Sequence, residues 1–221
     1  MGKLKVLIAI DDPALAKIIV NTACSFLDKN NSEITFINVE EVSHNEEEYF
    51  YREPQKFIEH EAEKSDFAII ENSLENEGYD YKGFIYKEGN PSKIIINTAQ
   101  NDNYDLVVVG SHNKHTLERL FLGSVSYKVA KYSKKSVLVI KPTLNPIFKK
   151  DLPYNVLFCT DGSEYSIYAS QNIGKYIDKK RSGMSVLNIT IEMEQIIPPD
   201  AYIYVDMSKI IEESKIGRAH V

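Results

Sequence analysis

The sequence predicts an α/β fold in which an open, doubly wound parallel sheet carries helices on both faces. Two observations support this class: short runs of branched apolar residues recur along the chain, and amphipathic segments with helical spacing separate them. A continuous apolar run such as KVLIAI, residues 5–10, suits a parallel strand that is buried on both sides. Strands that alternate with helices indicate a parallel sheet, although the periodicity does not fix the order of the strands.

The elements of the first domain follow one another regularly. Strands are predicted at residues 5–10, 34–39, 83–87, 106–109 and 136–140, and the later helices at 53–75, 91–100 and 124–132. The first helix begins at Asp12 and Pro13, because aspartate is a good N-cap and proline suits the first helical position. Its apolar stripe comprises Leu15, Ile18, Ile19, Ala23 and Phe26.

A proline-containing stretch interrupts this pattern, after which the pattern starts again. We assign residues 1–142 to the first domain and 143–153 to a linker. From there Val156–Asp161 repeats the apolar run of Val6–Asp11 at a distance of 150 residues, with no gap through strand, helix and strand. The match predicts a partial second copy at 154–215, with convergence of two unrelated units as the alternative. One codon choice for residues 216–221, IGRAHV, spells the start of a common sequencing adaptor, so we interpret them as a non-native tail.

Composition restricts the function. The net charge of −6 argues against nucleic acid, which favours basic surfaces, and the sequence has no apolar run long enough to cross a membrane. The two cysteines, Cys24 and Cys159, lack the spacing of a metal site. We expect both to be free, buried thiols in a cytoplasmic protein.

Polar residues and glycines are predicted to collect where strands end. Asp11 follows the first strand, Asn38 and Val39 end the second, and Gly110 ends the fourth. Ligands of doubly wound sheets bind beyond the carboxyl ends of the strands. The stretch GSHNKHTLERLFLGS, residues 110–124, then leads into a helix.

Two glycines of this stretch predict a phosphate loop. We expect Gly110 and Gly123 to adopt positive φ and to let a ligand approach the backbone. Ser124 is expected to cap the following helix, with Ser126 in the same first turn. The amides at a helix N-terminus attract phosphate. The basic side chains of the loop are His112, Lys114, His115 and Arg119.

The spacing of the loop resembles that of the universal stress protein family. Its ATP-binding members carry G-x2-G-x9-G-(S/T), which Gly110, Asn113, Gly123 and Ser124 match with asparagine at the second glycine. Asparagine tolerates left-handed backbone conformations. The segments YDLVVVGSHN, GSVSYKVAKYSKKSVLVIKP, EGNPSKIIINTA and TDGSEYS also resemble the family.

The resemblance implies a five-stranded sheet of order 3-2-1-4-5 and a regulatory, ATP-binding role in stress response. The implied cofactor is ATP, with or without magnesium. The implied nucleotide-binding positions are Asp11 and Val39 for adenosine, and Gly110, Asn113, Gly123, Ser124, Val125 and Ser126 for the phosphates. It also implies a homodimer, or pairing of the two domains within one chain.

Other interpretations remain open at this stage. Asp11 and the Gly123–Ser124 pair could serve only to start helices, and the two loop histidines are interpreted as solvated side chains rather than metal ligands. The chain carries no motif for a nucleophile elbow or a Walker lysine, so no catalytic residue is assigned. The alternatives to an ATP-binding regulator are a dimerising interaction protein with an empty loop and a slow ATP hydrolase.

Overall fold

Five parallel strands form one sheet in the computed structural model, which describes residues 2–41, 67–111, 122–141 and 153–188. The strands are β1 (Leu4–Ala9), β2 (Ser32–Glu40), β3 (Asp80–Glu88), β4 (Leu106–Gly110) and β5 (Ser136–Ile140). Their order is β3-β2-β1-β4-β5, and every neighbouring pair is parallel. The fold class and the strand order implied by the resemblance are confirmed.

Helices connect the strands where the sequence predicts them. They are α1 (Pro13–Phe26), α2 (67–76), α3 (Pro91–Asn101) and α4 (Ser124–Tyr132). The predicted helix at 53–75 overlaps α2, and its part before residue 67 lies outside the described residues. The start of α3 shows why helix boundaries can be predicted from the sequence. The side chain of Asn90 accepts a hydrogen bond from the amide of Lys93 at 3.1 Å, and Pro91 occupies the first helical turn.

The first core lies between the sheet and the pair α3 and α4. The buried members of this cluster are Leu7, Ile37, Ile95, Ala99, Tyr104, Val107, Val109 and Val129. Side chains of a strand alternate between its two faces, so the neighbouring residues Val6 and Ile8 point to the opposite side, and they too are fully buried. On that side α1 lies against β4. β1 is therefore covered on both faces.

The amino ends of the two central strands are tied together. The amide of Lys5 donates to the carboxylate of Asp105 at 2.9 Å, and the amide of Asp105 donates to the carbonyl of Lys5 at 2.8 Å. The register then runs from Val6 opposite Leu106 to Ala9 opposite Val109. This reciprocal pair sets the register of β1 and β4 from one end, so their carboxyl ends also coincide.

Aromatic side chains attach α2 to the outer part of the sheet. Phe67 packs against Phe84 of β3 with ring centroids 5.1 Å apart, and Phe84 stacks on Tyr86 at 4.2 Å. The hydroxyl of Tyr81 donates to the carboxylate of Glu71. Burial, followed by this hydrogen bond, raises the pKa of Tyr81. The tyrosine therefore remains a neutral donor to α2 at all physiological pH values.

Residues after the linker form a smaller strand, helix and strand. They are β6 (Tyr154–Thr160), α5 (Glu164–Ile173) and β7 (Ser182–Asn188), and β6 and β7 make a two-stranded parallel sheet. Their register begins at Tyr154 opposite Ser182, and that of β1 and β2 begins at Leu4 opposite Ser32. Both pairs therefore have the same offset along the chain.

Burial in this smaller sheet differs from burial in the first. Leu157 is 62% exposed, although Leu7 at the matching position is fully buried. Cys24 is buried as expected, but the expectation for Cys159 is wrong because that thiol is exposed. Ser163 donates hydrogen bonds to Asp161 in the loop after β6, which lowers the pKa of Asp161 to about 2.

The chain divides into two units, Met1–Lys150 and Asp151–Val221. The helices of the described ranges include none that is both long enough and apolar enough to cross a membrane.

Tyr79 provides a test of how the α2–β3 segment is held to α1. Its buried hydroxyl donates to the carbonyl of Cys24 at 2.7 Å. Tyr79→Phe removes the donor and leaves a buried carbonyl without it, so the free energy of unfolding should fall by ~1–3 kcal/mol. Urea denaturation measures the change. Tyr132→Phe, at a side chain that is 60% exposed, is the matched control, and an equal loss there would contradict the assignment.

Candidate functional site

Three neighbouring strands end at one edge of the sheet. Ala9 of β1 lies opposite Ile37 of β2 and Val109 of β4, so the residues that follow all emerge on the same side. Those residues include Asp11, Val39 and Gly110, three of the predicted site positions. Asp11 is exposed, and Val39 is half-buried and packs against the core. The structure therefore brings both predicted ends of the site to one edge.

Asn38 fixes the path of the chain as it leaves β1. Its side-chain amide donates to the carbonyl of Ile10 at 3.0 Å, and the amide of Ile10 donates to the carbonyl of Ile37 at 3.0 Å. Asn38 is buried, so this bond is shielded from water. Both backbone groups of Ile10 are thus hydrogen-bonded to β2. These bonds fix the position of the backbone from which Asp11 continues.

Ser111 joins the end of β4 to the start of α4. Its hydroxyl accepts a long hydrogen bond of 3.4 Å from the amide of Gly123, and its own amide donates to the carbonyl of Ile140 at 2.7 Å. Ser111 is buried. Sequence reasoning did not single out this residue. The available signal was its place directly after Gly110, where a small polar side chain ends an apolar strand.

The start of α4 differs by one residue from the prediction. Gly123, not Ser124, is the N-cap, with φ −61° and ψ 158°, and no side chain caps the helix. The predicted capping role of Ser124 is therefore wrong. Its hydroxyl is exposed, since Ser124 is the first residue of the helix. Ser126 is buried and its hydroxyl donates to the carbonyl of Gly123 at 3.0 Å.

The first three amides of α4 precede its ladder of helical hydrogen bonds. The first bond of the helical ladder runs from the amide of Tyr127 to the carbonyl of Gly123, at 2.9 Å. The amides of Ser124, Val125 and Ser126 therefore precede the ladder, as the first N–H groups of any helix do. Together with the helix dipole they form a partial positive charge that suits an anion.

Neither loop glycine adopts the positive φ expected of it. Gly123 has the extended backbone given above, and Gly110 is the last residue of β4 and does not share the positive φ of Gly78, Gly83, Gly89 and Gly162. Gly110 instead lies where a side chain would come too close to a neighbouring residue. A Cβ atom there would lie 2.4 Å from Cδ1 of Ile19.

Some predicted positions lie outside the described residues. They are Asn113 and the basic side chains His112, Lys114, His115 and Arg119. Within the described ranges, no group of three or more His, Cys, Asp or Glu side chains is arranged to hold a metal ion.

Residues 4–141 match the sequence model of the universal stress protein family, which accounts for more than half of the chain. The chain belongs to the universal stress protein family. The matched segment ends at the residue after β5, so it includes all five strands of the first sheet. Every described residue of the candidate site lies within it.

Known proteins and solved structures similar to this universal stress protein include the following. The protein MJ0577 of Methanocaldococcus jannaschii is 36% identical over 94 residues, which are 42% of this chain and 57% of that protein. The aligned segment thus spans little more than half of MJ0577. YxiE of Bacillus subtilis is 29% identical over 147 residues, 62% of this chain and 98% of that protein. The solved MJ0577 structure has a TM-score of 0.55 at 29% identity, covering 66% of this chain and 100% of that one.

The hydrogen bond from Asn38 to Ile10 yields a pH-dependent prediction. Asn38→Asp replaces a buried donor with a carboxylate that faces a carbonyl, so stability at pH 7 should fall by more than the ~1–3 kcal/mol expected for a lost neutral partner. The environment raises the folded-state pKa of the introduced carboxyl, because only the protonated acid can donate. The loss relative to wild type should therefore shrink as pH falls through that raised pKa toward about 3.9.

Urea denaturation at a series of pH values measures this change. Asn38→Leu, which removes the donor without adding a titrating group, is the control, and its loss relative to wild type should not depend on pH. A pH-independent loss in Asn38→Asp would show that the side-chain amide does not donate to Ile10.

Proposed function

We propose that this universal stress protein binds ATP at the carboxyl edge of its five-stranded sheet and acts as a nucleotide-dependent regulator in stress response. The adenosine end of the site comprises Asp11 and Val39. The phosphate end comprises Gly110, Gly123, Ser124, Val125 and Ser126, with Asn113 of the connecting loop. No residue is assigned a catalytic role.

The link between Ser111 and Gly123 is the observation that carries this proposal. It holds the N-terminus of a nine-residue helix next to the end of β4, one strand away from the end of β1. The first amides of α4 and the carboxylate of Asp11 therefore both lie at the carboxyl edge of the sheet. This arrangement suits a ligand with anionic groups at one end and hydroxyl donors at the other, because amides donate and carboxylates accept.

The described residues fit ATP in their donors and acceptors. Phosphate oxygens accept from the amides of Ser124, Val125 and Ser126, and the exposed Ser124 hydroxyl adds a fourth donor. A ribose hydroxyl donates to the Asp11 carboxylate. Magnesium, where present, coordinates phosphate oxygens and water, which does not require a cluster of protein ligands.

We also propose that residues 154–215 are a partial second copy of the domain. The equal registers of β1–β2 and β6–β7 support this, as does the position of α5 between the strands. The exposure of Leu157 supports pairing of this copy, either within the chain or in a homodimer. Neither Cys24 nor Cys159 is in a disulfide, which suits the reducing cytoplasm, where we place the protein.

The most direct experiment is to extract the purified protein with acid and separate the extract by ion exchange. Copurified adenine nucleotide supports the proposal. Absence of nucleotide, together with no ATP binding in calorimetry, would favour a dimerising interaction protein. Steady hydrolysis of ATP by the protein alone would favour a hydrolase.

The repeat supplies a matched pair of variants for the adenosine end. Asp11→Ala removes the carboxylate at the proposed site, and Asp161→Ala removes the carboxylate at the matching position of the second copy. The first should weaken ATP and adenosine alike, by ~1.5–3 kcal/mol, because a hydrogen bond to a charged group is lost. The second should change neither. Calorimetric titration should give one nucleotide per chain, and two equivalent sites would contradict the assignment to the first domain.

Ser124 tests the phosphate end separately. Because its side chain does not cap α4, Ser124→Ala should leave the free energy of unfolding nearly unchanged. Loss of the hydroxyl should weaken ATP by ~1.5–3 kcal/mol, roughly ten- to a hundredfold, but leave adenosine unaffected. Ser73→Ala, at an exposed serine on α2, is the control. Equal weakening of ATP and adenosine would remove Ser124 from the phosphate end.

A further inference from the structure

A side chain on the last residue of β4 would meet the side chain of Ile19 in α1. A Cβ atom added to Gly110 would lie 2.4 Å from Cδ1 of Ile19 and 3.2 Å from its Cγ1. Carbon atoms in contact are normally separated by about 3.5–4.0 Å, so a side chain at 110 would require Ile19 to move. Ile19 is only 1% exposed, and a β-branched side chain in a helix has one strongly preferred χ1 rotamer. α1 therefore packs directly on the backbone of β4.

This contact connects the two ends of the candidate site. α1 begins two residues after Asp11, and the carbonyl of Asp12 already accepts from the amide of Ala16 at 2.7 Å. On the other side, Gly110 precedes Ser111, which holds the amide of Gly123. The contact of α1 with β4 is therefore a second link between Asp11 and the first amides of α4, besides the pairing of β1 with β4.

We propose that Ile19 is a positioning residue for the nucleotide site: the backbone of Gly110 belongs to the phosphate end, and a side chain at 110 would disturb that end by displacing Ile19 of α1. Ile19 is apolar and buried, so it acts through the backbone of residue 110. The relevance to ATP rests on the function proposed above. The effect on Ser111 and Gly123, however, can be measured in the protein without a ligand.

Three variants of the full chain test the proposal: Gly110→Ala, Ile19→Val and the two combined. Ile19→Val removes Cδ1, the atom nearest to the added methyl group, and keeps a branched side chain. Gly110→Ala should lower Tm because it overpacks this contact, shift the amide resonances of Ser111 and Gly123, and weaken ATP about tenfold because the first amides of α4 are displaced. In the combined variant, all three readouts should return to those of Ile19→Val, with ATP affinity within about threefold of it.

Ile18→Val is the matched control for rescue. It removes the same methyl group from the same helix, but no atom of Ile18 lies within 4 Å of the Cβ position at 110. Combined with Gly110→Ala, it should restore neither the amide resonances nor the affinity. Rescue equal to that by Ile19→Val would overturn the proposal, because the effect would not depend on the contact.

The other outcomes are equally decisive. If the combined variant regains Tm and its resonances but not ATP affinity, the ligand itself requires the glycine and the proposal is wrong. If Gly110→Ala does not fold, the combined variant should fold, and its failure while Ile19→Val folds would also overturn the proposal. If the wild-type protein binds neither ATP nor adenosine, the proposed function fails, and the resonances of Ser111 and Gly123 still decide whether Ile19 positions the start of α4.

Discussion

The burial of β1 on both faces is the constraint on which the rest of the structure depends. Val6, Leu7 and Ile8 have no exposed surface, so helices must cover both sides of the sheet and a strand must lie along each edge of β1. Parallel neighbours reached through helices satisfy both needs. Their carboxyl ends then meet at one edge, and the polar residues that follow them collect there. The candidate site therefore lies at this edge because β1 is apolar enough to require parallel neighbours on both sides.

Local sequence patterns predict the elements well because each of them has a local cause. The apolar run before Asp11 and the valines before Gly110 can be buried on both sides only as central strands, and Asn90 with Pro91 starts α3 through its own side chain and ring. The order of the strands has no such local cause. β1 and β4 are equally apolar, so their periodicity does not show which strands they pair with, and the resemblance to a family supplied the order.

The site was predicted less completely, because its details depend on partners distant in the chain. The sequence alone does not distinguish a glycine that is required for a positive φ from one that is required because a neighbouring side chain packs against it. Gly110 is explained by Ile19, which approaches it only after α1 has packed on the sheet. Ser111 acquires its role in the same way, through Gly123 and Ile140. The predicted burial of Cys159 is wrong. The sequence around it is as apolar as that of β1, but its sheet has only two strands in the described residues and leaves the thiol exposed.

The smaller sheet of β6 and β7 also has a consequence for how the protein behaves in concentrated solution. Among the described residues this sheet has two strands, so each strand has an outer row of backbone donors and acceptors, and Leu157 and Cys159 of β6 are exposed. Such an edge is a template on which any other extended chain can add. The net charge of −6 opposes that addition through repulsion between molecules, and at 0.1 M salt this repulsion is screened beyond about 10 Å. Added salt is therefore expected to favour association between molecules through this sheet.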